Sequence, residues 1–125
     1  VDDITAAGGR AVANGDDVST LQGGENILKT ALDAFGQVDI LVCNAGILRD
    51  KSFANTSEDD WDKVVKVHLK GTYCVTRPIY NHMKERGQGG SLVATASTAA
   101  AAWAAGRSCA LKPCSEATFS SAQSL

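Results

Sequence analysis

Apolar positions recur in short blocks along the chain, and glycines stand between the blocks. Asp2 to Ala7 reads as the end of a helix, with Gly8-Gly9 as its stop. Arg10 to Asn14 has the length of a short strand, punctuated by Gly15-Asp16-Asp17. Ile27, Leu28, Ala31, Leu32 and Phe35 follow at spacings of three and four, which predicts a helix closed by Gly36. Val38 to Cys43 is an apolar run broken only by Asp39, the pattern of a parallel strand covered on both faces. Asn44 to Thr56 reads as a loop. Ser57, with Asp60 three residues on, has the form of a helix N-cap with acidic residues in the first turn. The helix it opens carries Trp61, Val64, Val65, His68, Leu69, Thr72, Val75, Thr76, Ile79 and Met83 on one broad face. Pro78 sits inside that helix and costs about 3 kcal/mol there, which predicts a kink or an early end. Gly87, Gly89 and Gly90 stop it, and Ser91 to Ala96 reads as a further strand. Strands alternating with helices predict an α/β fold with a parallel sheet.

After Ser97 the pattern fades. Thr98 to Leu125 is rich in Ala and Ser and shows no clear period, although Ala99 to Ala105, interrupted by Trp103, favour helix by propensity. No internal repeat is found.

Composition narrows the picture. A chain of 125 residues holds at most one small domain, and 44% apolar content is enough to pack one. The net charge of −2 comes without a basic stripe, which argues against a nucleic-acid partner. No apolar run approaches the roughly 20 residues of a membrane span. Val1-Asp2-Asp3 does not read as a signal peptide, and the lack of an initiator methionine suggests a piece of something longer. Cys43, Cys74, Cys109 and Cys114 form no C-x-x-C pair and have no His-rich neighbour. Free thiols are therefore expected, with no metal site.

The stretch "DILVCNAG" carries the first hint of chemistry. Ligands of doubly wound sheets bind outside the carboxyl ends of the strands, and small residues there let a backbone approach a nucleotide. Asn44 can hydrogen-bond backbone or ribose, and Ala45-Gly46 leaves room for a sugar. The same residues also suit a plain strand-to-loop turn.

"GQVDILVCNAG" (residues 36–46) resembles the strand-four segment of the short-chain dehydrogenase/reductase family, whose common pattern is G-x-x-D-x-x-V-N-N-A-G. "WDKVVKVHLKGT" (61–72) is similar to that family's next helix, and "LVATAS" (92–97) to its following strand with a terminal serine. Within the family, "NAGILRDKSF" and "WDKVVKVHLKGTY" look most like the branch of (3R)-hydroxyacyl-CoA dehydrogenases, with 3-oxoacyl carrier-protein reductases as the alternative.

The resemblance implies a partial Rossmann-type doubly wound parallel sheet, strands three to five of the family fold. It covers residues 1–97, and residues 98–125 form a tail that does not match. It implies that Asn44, Ala45 and Gly46 line the adenosine–ribose side of a nicotinamide cofactor, NAD with NADP open. Asp16 or Asp17, with Val18, matches the segment that holds the adenine, although both aspartates also fit an Asx turn. His68 stands where most members have a catalytic-helix asparagine. An imidazole can join the same water relay, although a buried, satisfied histidine fits the residue equally. Ser97 matches the serine that orients the substrate. Cys43 departs from the first Asn of N-N-A-G.

Arg49, Asp50 and Lys51 could meet an acyl-CoA-like substrate or a partner subunit, although a solvated loop is the favoured reading. The implied partners are that small molecule and a second copy, since the family commonly dimerises through the long helix. The implied location is the peroxisome, otherwise the cytoplasm. The family's Tyr-x-x-x-Lys acid/base pair should fall at Ala110 and Cys114, and no tyrosine follows Tyr80. The glycine-rich phosphate loop would precede Val1. The chain alone is therefore expected to be inactive, or to serve as a non-catalytic fragment that joins a full-length relative.

Overall fold

The computed structural model describes residues 1–96. Expectations for Ser97 and for the 98–125 tail lie outside the described residues. Helix α1 (Asp2–Ala6) ends as expected, with Gly8 in the left-handed region at φ +82°.

Arg10 to Asn14 does not form the expected strand. A strand needs a neighbour to complete its ladder, and among the described residues the two strands pair only with each other. Side chains hold this segment instead. Asn14 Nδ2 donates to Thr30 Oγ1 at 2.9 Å, and Asn26 Nδ2 donates to Asp16 Oδ1 at 2.8 Å.

Helix α2 (Leu21–Phe35) starts where Thr20 Oγ1 accepts the Gly23 N–H at 3.0 Å. It stops where Gly36, at φ +84°, donates its N–H to the Leu32 carbonyl at 2.8 Å. Strand β1 (Ile40–Cys43) pairs in parallel with β2 (Ser91–Ala94), Ile40 opposite Ser91 and Cys43 opposite Ala94. Among the described residues the expected cover on both faces is present on one only. Leu41 is buried, whereas Ile40 and Val42 stand 66% and 56% exposed. Side chains alternate across a strand, and α2 and the long helix pack on just one side of this sheet.

Ser57 caps α3 (Glu58–Val65) as expected: its Oγ accepts the Asp60 N–H at 3.2 Å and donates to Asp60 Oδ2 at 2.7 Å. The helix then widens into a π turn over Lys66–Lys70 and continues as α4 (Gly71–Arg86). Pro78 does not end it. Pro78 has no N–H to offer the Cys74 carbonyl, and that carbonyl lies against Gly24 of α2, where a Cβ would collide with it. The space left by the missing side chain lets the two helices meet backbone to backbone. Leu41, Val75, Ile79 and Met83 form the core, flanked by Val18, Ile27, Leu28, Val38, Cys43 and Leu92. Cys43 and Cys74 are free thiols, the latter fully buried.

Candidate functional site

The residues singled out by sequence gather at the carboxyl end of β1. The parallel register brings Thr95, just past β2, beside the end of β1. Its N–H donates to the Cys43 carbonyl at 3.0 Å, and its hydroxyl donates to Asn44 Oδ1 at 3.0 Å. The Asn44 amide is thereby held at the strand end. Asn44 and Ala45 border a cavity of about 180 Å³ whose opposite wall includes Val18, Val67 and Gly71. The cavity is lined mainly by apolar side chains, which suits a flat apolar ring more than a charged group.

Gly46 is pressed against His68. A Cβ at position 46 would stand 2.5 Å from His68 Cε1, so only glycine lets the imidazole lie there. His68 Nε2 sits 3.1 Å from the Ile47 nitrogen and 2.9 Å from the Ile47 carbonyl oxygen. The side chain comes from the middle of the π turn, and its own carbonyl accepts from Thr72 Oγ1 at 2.7 Å. One extra residue in the turn widens the helix where it faces the loop; such turns are frequent at functional sites. His68 is exposed rather than buried, and its Nε2 is engaged by backbone.

The two aspartates separate in role. Asp16 accepts from Asn14 and Asn26 and belongs to the anchor between segment 14–17 and α2. Asp17 Oδ1 accepts the Ser19 hydroxyl at 2.6 Å and the Ser19 N–H at 2.9 Å, an Asx-type turn. These two bonds, hydroxyl first, hold its carboxyl below the ordinary value, with Lys66 and Lys70 adding to the effect. Asp17 Oδ2 lies 3.8 Å from Lys66 Nζ. Val18, next in the chain, reaches the cavity wall. The structure thus brings Val18, Asn44, Ala45, Gly46 and His68 together, places Asp17 at the edge, and turns Asp16 away.

The basic loop has a local use. Lys51 Nζ meets Asp60 Oδ2 at 2.6 Å, and Arg49 Nε lies 3.6 Å from Asp60 Oδ1. Asp60 is buried at the start of α3. The Lys51 hydrogen bond, then that from Ser57, pulls its carboxyl down to about 2. Two of the three charged residues of this segment, Arg49 and Lys51, therefore fasten the loop to α3.

Four contributors were missed by sequence reading: Thr95, Ser19, Thr76 and the Ile47 backbone. Asp17-Val18-Ser19 carries an Asx-turn signal that would have found Ser19. Thr76 Oγ1 lies 3.4 Å from Cys43 Sγ, so the cysteine in place of the family asparagine keeps a polar neighbour. Thr95 and Ile47 depend on the strand register and on the π turn, which leave no local signature. Among the described residues no group of His, Cys, Asp and Glu could hold a metal ion, and no helix is long and apolar enough to cross a membrane.

A crossover from strand through helix to parallel strand, with small residues at the strand end, defines part of a doubly wound α/β protein. The family model described as short chain dehydrogenase matches residues 1–109, and the chain belongs to that family of oxidoreductases. The chain is 52% identical over 99 residues to peroxisomal multifunctional enzyme A of Dictyostelium discoideum, covering 79% of this chain and 22% of that protein. It is 47% identical over 98 residues to peroxisomal multifunctional enzyme type 2 of Mus musculus, covering 78% of this chain and 13% of that protein. The crystal structure of a short chain dehydrogenase from Mycobacterium avium superposes with a TM-score of 0.75 at 41% identity, over 79% of this chain and 37% of that one. The chain thus spans about a fifth or less of the two curated relatives.

Proposed function

We propose that residues 1–97 form the part of a nicotinamide-dependent short-chain dehydrogenase that seats the adenosine half of the cofactor. The observation that carries this reading is the convergence of Val18, Asn44, Ala45 and Gly46 on the end of β1, held there by Thr95 and His68. Asp17 and Val18 would hold the adenine, and Asn44 to Gly46 the ribose. The apolar cavity bordered by Val18, Asn44 and Ala45 suits that group. NAD is the cofactor proposed, with NADP as the second choice; when bound it takes up the hydride.

The parent enzyme would oxidise a 3-hydroxyacyl-CoA-like alcohol. Ser97 would orient its hydroxyl, and His68 would stand beside the proton relay. Support comes from the two peroxisomal multifunctional enzymes it resembles, which also support a peroxisomal setting. A 3-oxoacyl carrier-protein reductase remains the alternative substrate class. The 125 residues contain no Tyr-x-x-x-Lys pair beyond Ser97. With no base to take the hydroxyl proton, the chain by itself would not turn over.

A second reading has its own observation. Leu69, Tyr73 and Tyr80 stand exposed along one stripe of the long helix, Leu69 at 71%. That stripe fits a fragment that joins a full-length relative, or a second copy, through the helix.

Titration of the purified chain with NADH and NADPH by fluorescence, with circular dichroism on the same sample, tests the first reading. The expected result is a helical spectrum, saturable quenching by NADH, and no oxidation of 3-hydroxybutyryl-CoA. A folded chain that binds neither nucleotide would overturn the cofactor reading, and turnover would overturn the claim of inactivity.

A further inference from the structure

We infer that His68 is a positioning residue that latches the Asn44–Ile47 turn through a single ring nitrogen, and that a proton on this nitrogen switches the latch from the Ile47 amide to the Ile47 carbonyl. The geometry is unusual in one respect. Nε2 lies within hydrogen-bond distance of a donor, the Ile47 N–H at 3.1 Å, and of an acceptor, the Ile47 carbonyl at 2.9 Å. One imidazole nitrogen cannot serve both. Without a proton it accepts from the amide; with one it donates to the carbonyl and leaves the amide facing another N–H.

Gly46 packs on the Cε1 edge of the ring with no space for a Cβ, and the backbone that carries the ring is wound into the π turn. An asparagine would hold the same turn differently. Its side chain has a separate donor and acceptor, which can meet a carbonyl and an amide together at any pH. The histidine thus makes a contact conditional that an amide would make permanently.

Lys66 and Lys70 flank His68 on the π turn, and both are exposed. The groove of about 590 Å³ that it borders presents Arg77, Tyr73 and Tyr80 from α4. The end of β2 contributes Ala94 and Thr95 there, and the loop contributes Gly46 and the Ile47 backbone, none of them charged. Among the described residues no carboxylate lines that groove. With a proton on Nε2 the ring keeps the Ile47 carbonyl and releases the Ile47 amide, at the end of the turn that presents Asn44, Ala45 and Gly46. The latch itself does not depend on the cofactor; only its consequence for binding rests on the reading above.

The test is nuclear magnetic resonance on the labelled 125-residue chain, without cofactor. Ring nitrogen shifts follow the protonation of His68, and amide exchange follows Ile47. In the neutral ring Nε2 is expected to carry no proton, the hydrogen residing on Nδ1. As the ring charges, the Ile47 amide should exchange about threefold to tenfold faster than the intrinsic pH dependence predicts, as expected for loss of one hydrogen bond. His68→Asn should keep Ile47 protected and flat with pH, and His68→Ala should leave it unprotected throughout. A neutral ring with the proton on Nε2, or Ile47 protection unchanged through the His68 titration, would overturn the inference. The ring measurement uses the unaltered chain, so a variant that fails to fold does not remove the test.

Discussion

Gly24→Ala is the sharpest perturbation of this fold. Helix propensity alone predicts a gain of about 1 kcal/mol, because alanine is the better helix former. The packing predicts the opposite. A Cβ at position 24 would overlap the Cys74 carbonyl oxygen, and would stand 2.8 Å from the Cys74 carbonyl carbon and 3.2 Å from Val75 Cα. All three are backbone atoms of α4, so no side chain can swing aside. The helices must part by about an ångström to restore normal contact, and that shift loosens Ile27 and Leu28 against Val75 and Ile79. Overpacking of this kind costs about 1–3 kcal/mol, more than propensity returns. Urea unfolding followed at 222 nm should therefore show a lower midpoint with an unchanged slope. Glu25→Ala, on the exposed side of the same helix, serves as the control and should stay within about 0.5 kcal/mol of the parent. A Gly24→Ala chain as stable as the parent, or more so, would refute the close approach of α2 and α4.

Two further outcomes follow from the core and the loop. Ile79→Ala, at a residue 3% exposed, should cost about 2–5 kcal/mol in the same assay, enough to unfold much of a chain with so small a core. For Asp60→Asn the pH dependence is the readout. The folded carboxyl titrates at about 2 against an ordinary 3.8, so its contribution is complete above 3.8 and lost as the pH falls toward 2. The stability gap between parent and variant should be constant above about pH 5 and close through that window. A gap that persists at pH 2 would remove the Lys51–Asp60 contact from the explanation.

Much of the architecture was legible because it is encoded locally. The three-and-four spacing from Ile27 to Phe35 and the left-handed Gly36 define α2 without reference to the rest of the chain. Ser57 and Asp60 do the same for the start of α3. What escaped was decided at a distance. Arg10 to Asn14 has strand-like length, but a ladder requires a neighbour, and Asn14 and Asp16 are tied by side chains to α2 instead. Pro78 argued for a break, yet the carbonyl it leaves without a donor finds Gly24 on another helix. The alternation at Val42 told which side chains point out, not whether anything covers them.

The site shows the same division. Asn44, Ala45 and Gly46 were recognisable as a motif, and His68 as a substitution within one. The atom that His68 uses, and the Ile47 backbone it meets, depend on a π turn that periodicity at 3.6 residues does not signal. Between Asp16 and Asp17 the sequence offered no choice; their neighbours in space made it.

The meeting of Gly24 and the Cys74 carbonyl has a consequence for how this chain can change over generations. The space at position 24 exists for a carbonyl that Pro78 releases, so two distant positions record a single arrangement. Ala at 24 meets the carbonyl while Pro78 is in place. A residue with an N–H at 78 draws the carbonyl back into its own helix and leaves Gly24 facing a gap. Ala at 24 is therefore disfavoured until position 78 has changed. Lineages that move one residue at a time would reach Ala at 24 only by way of position 78.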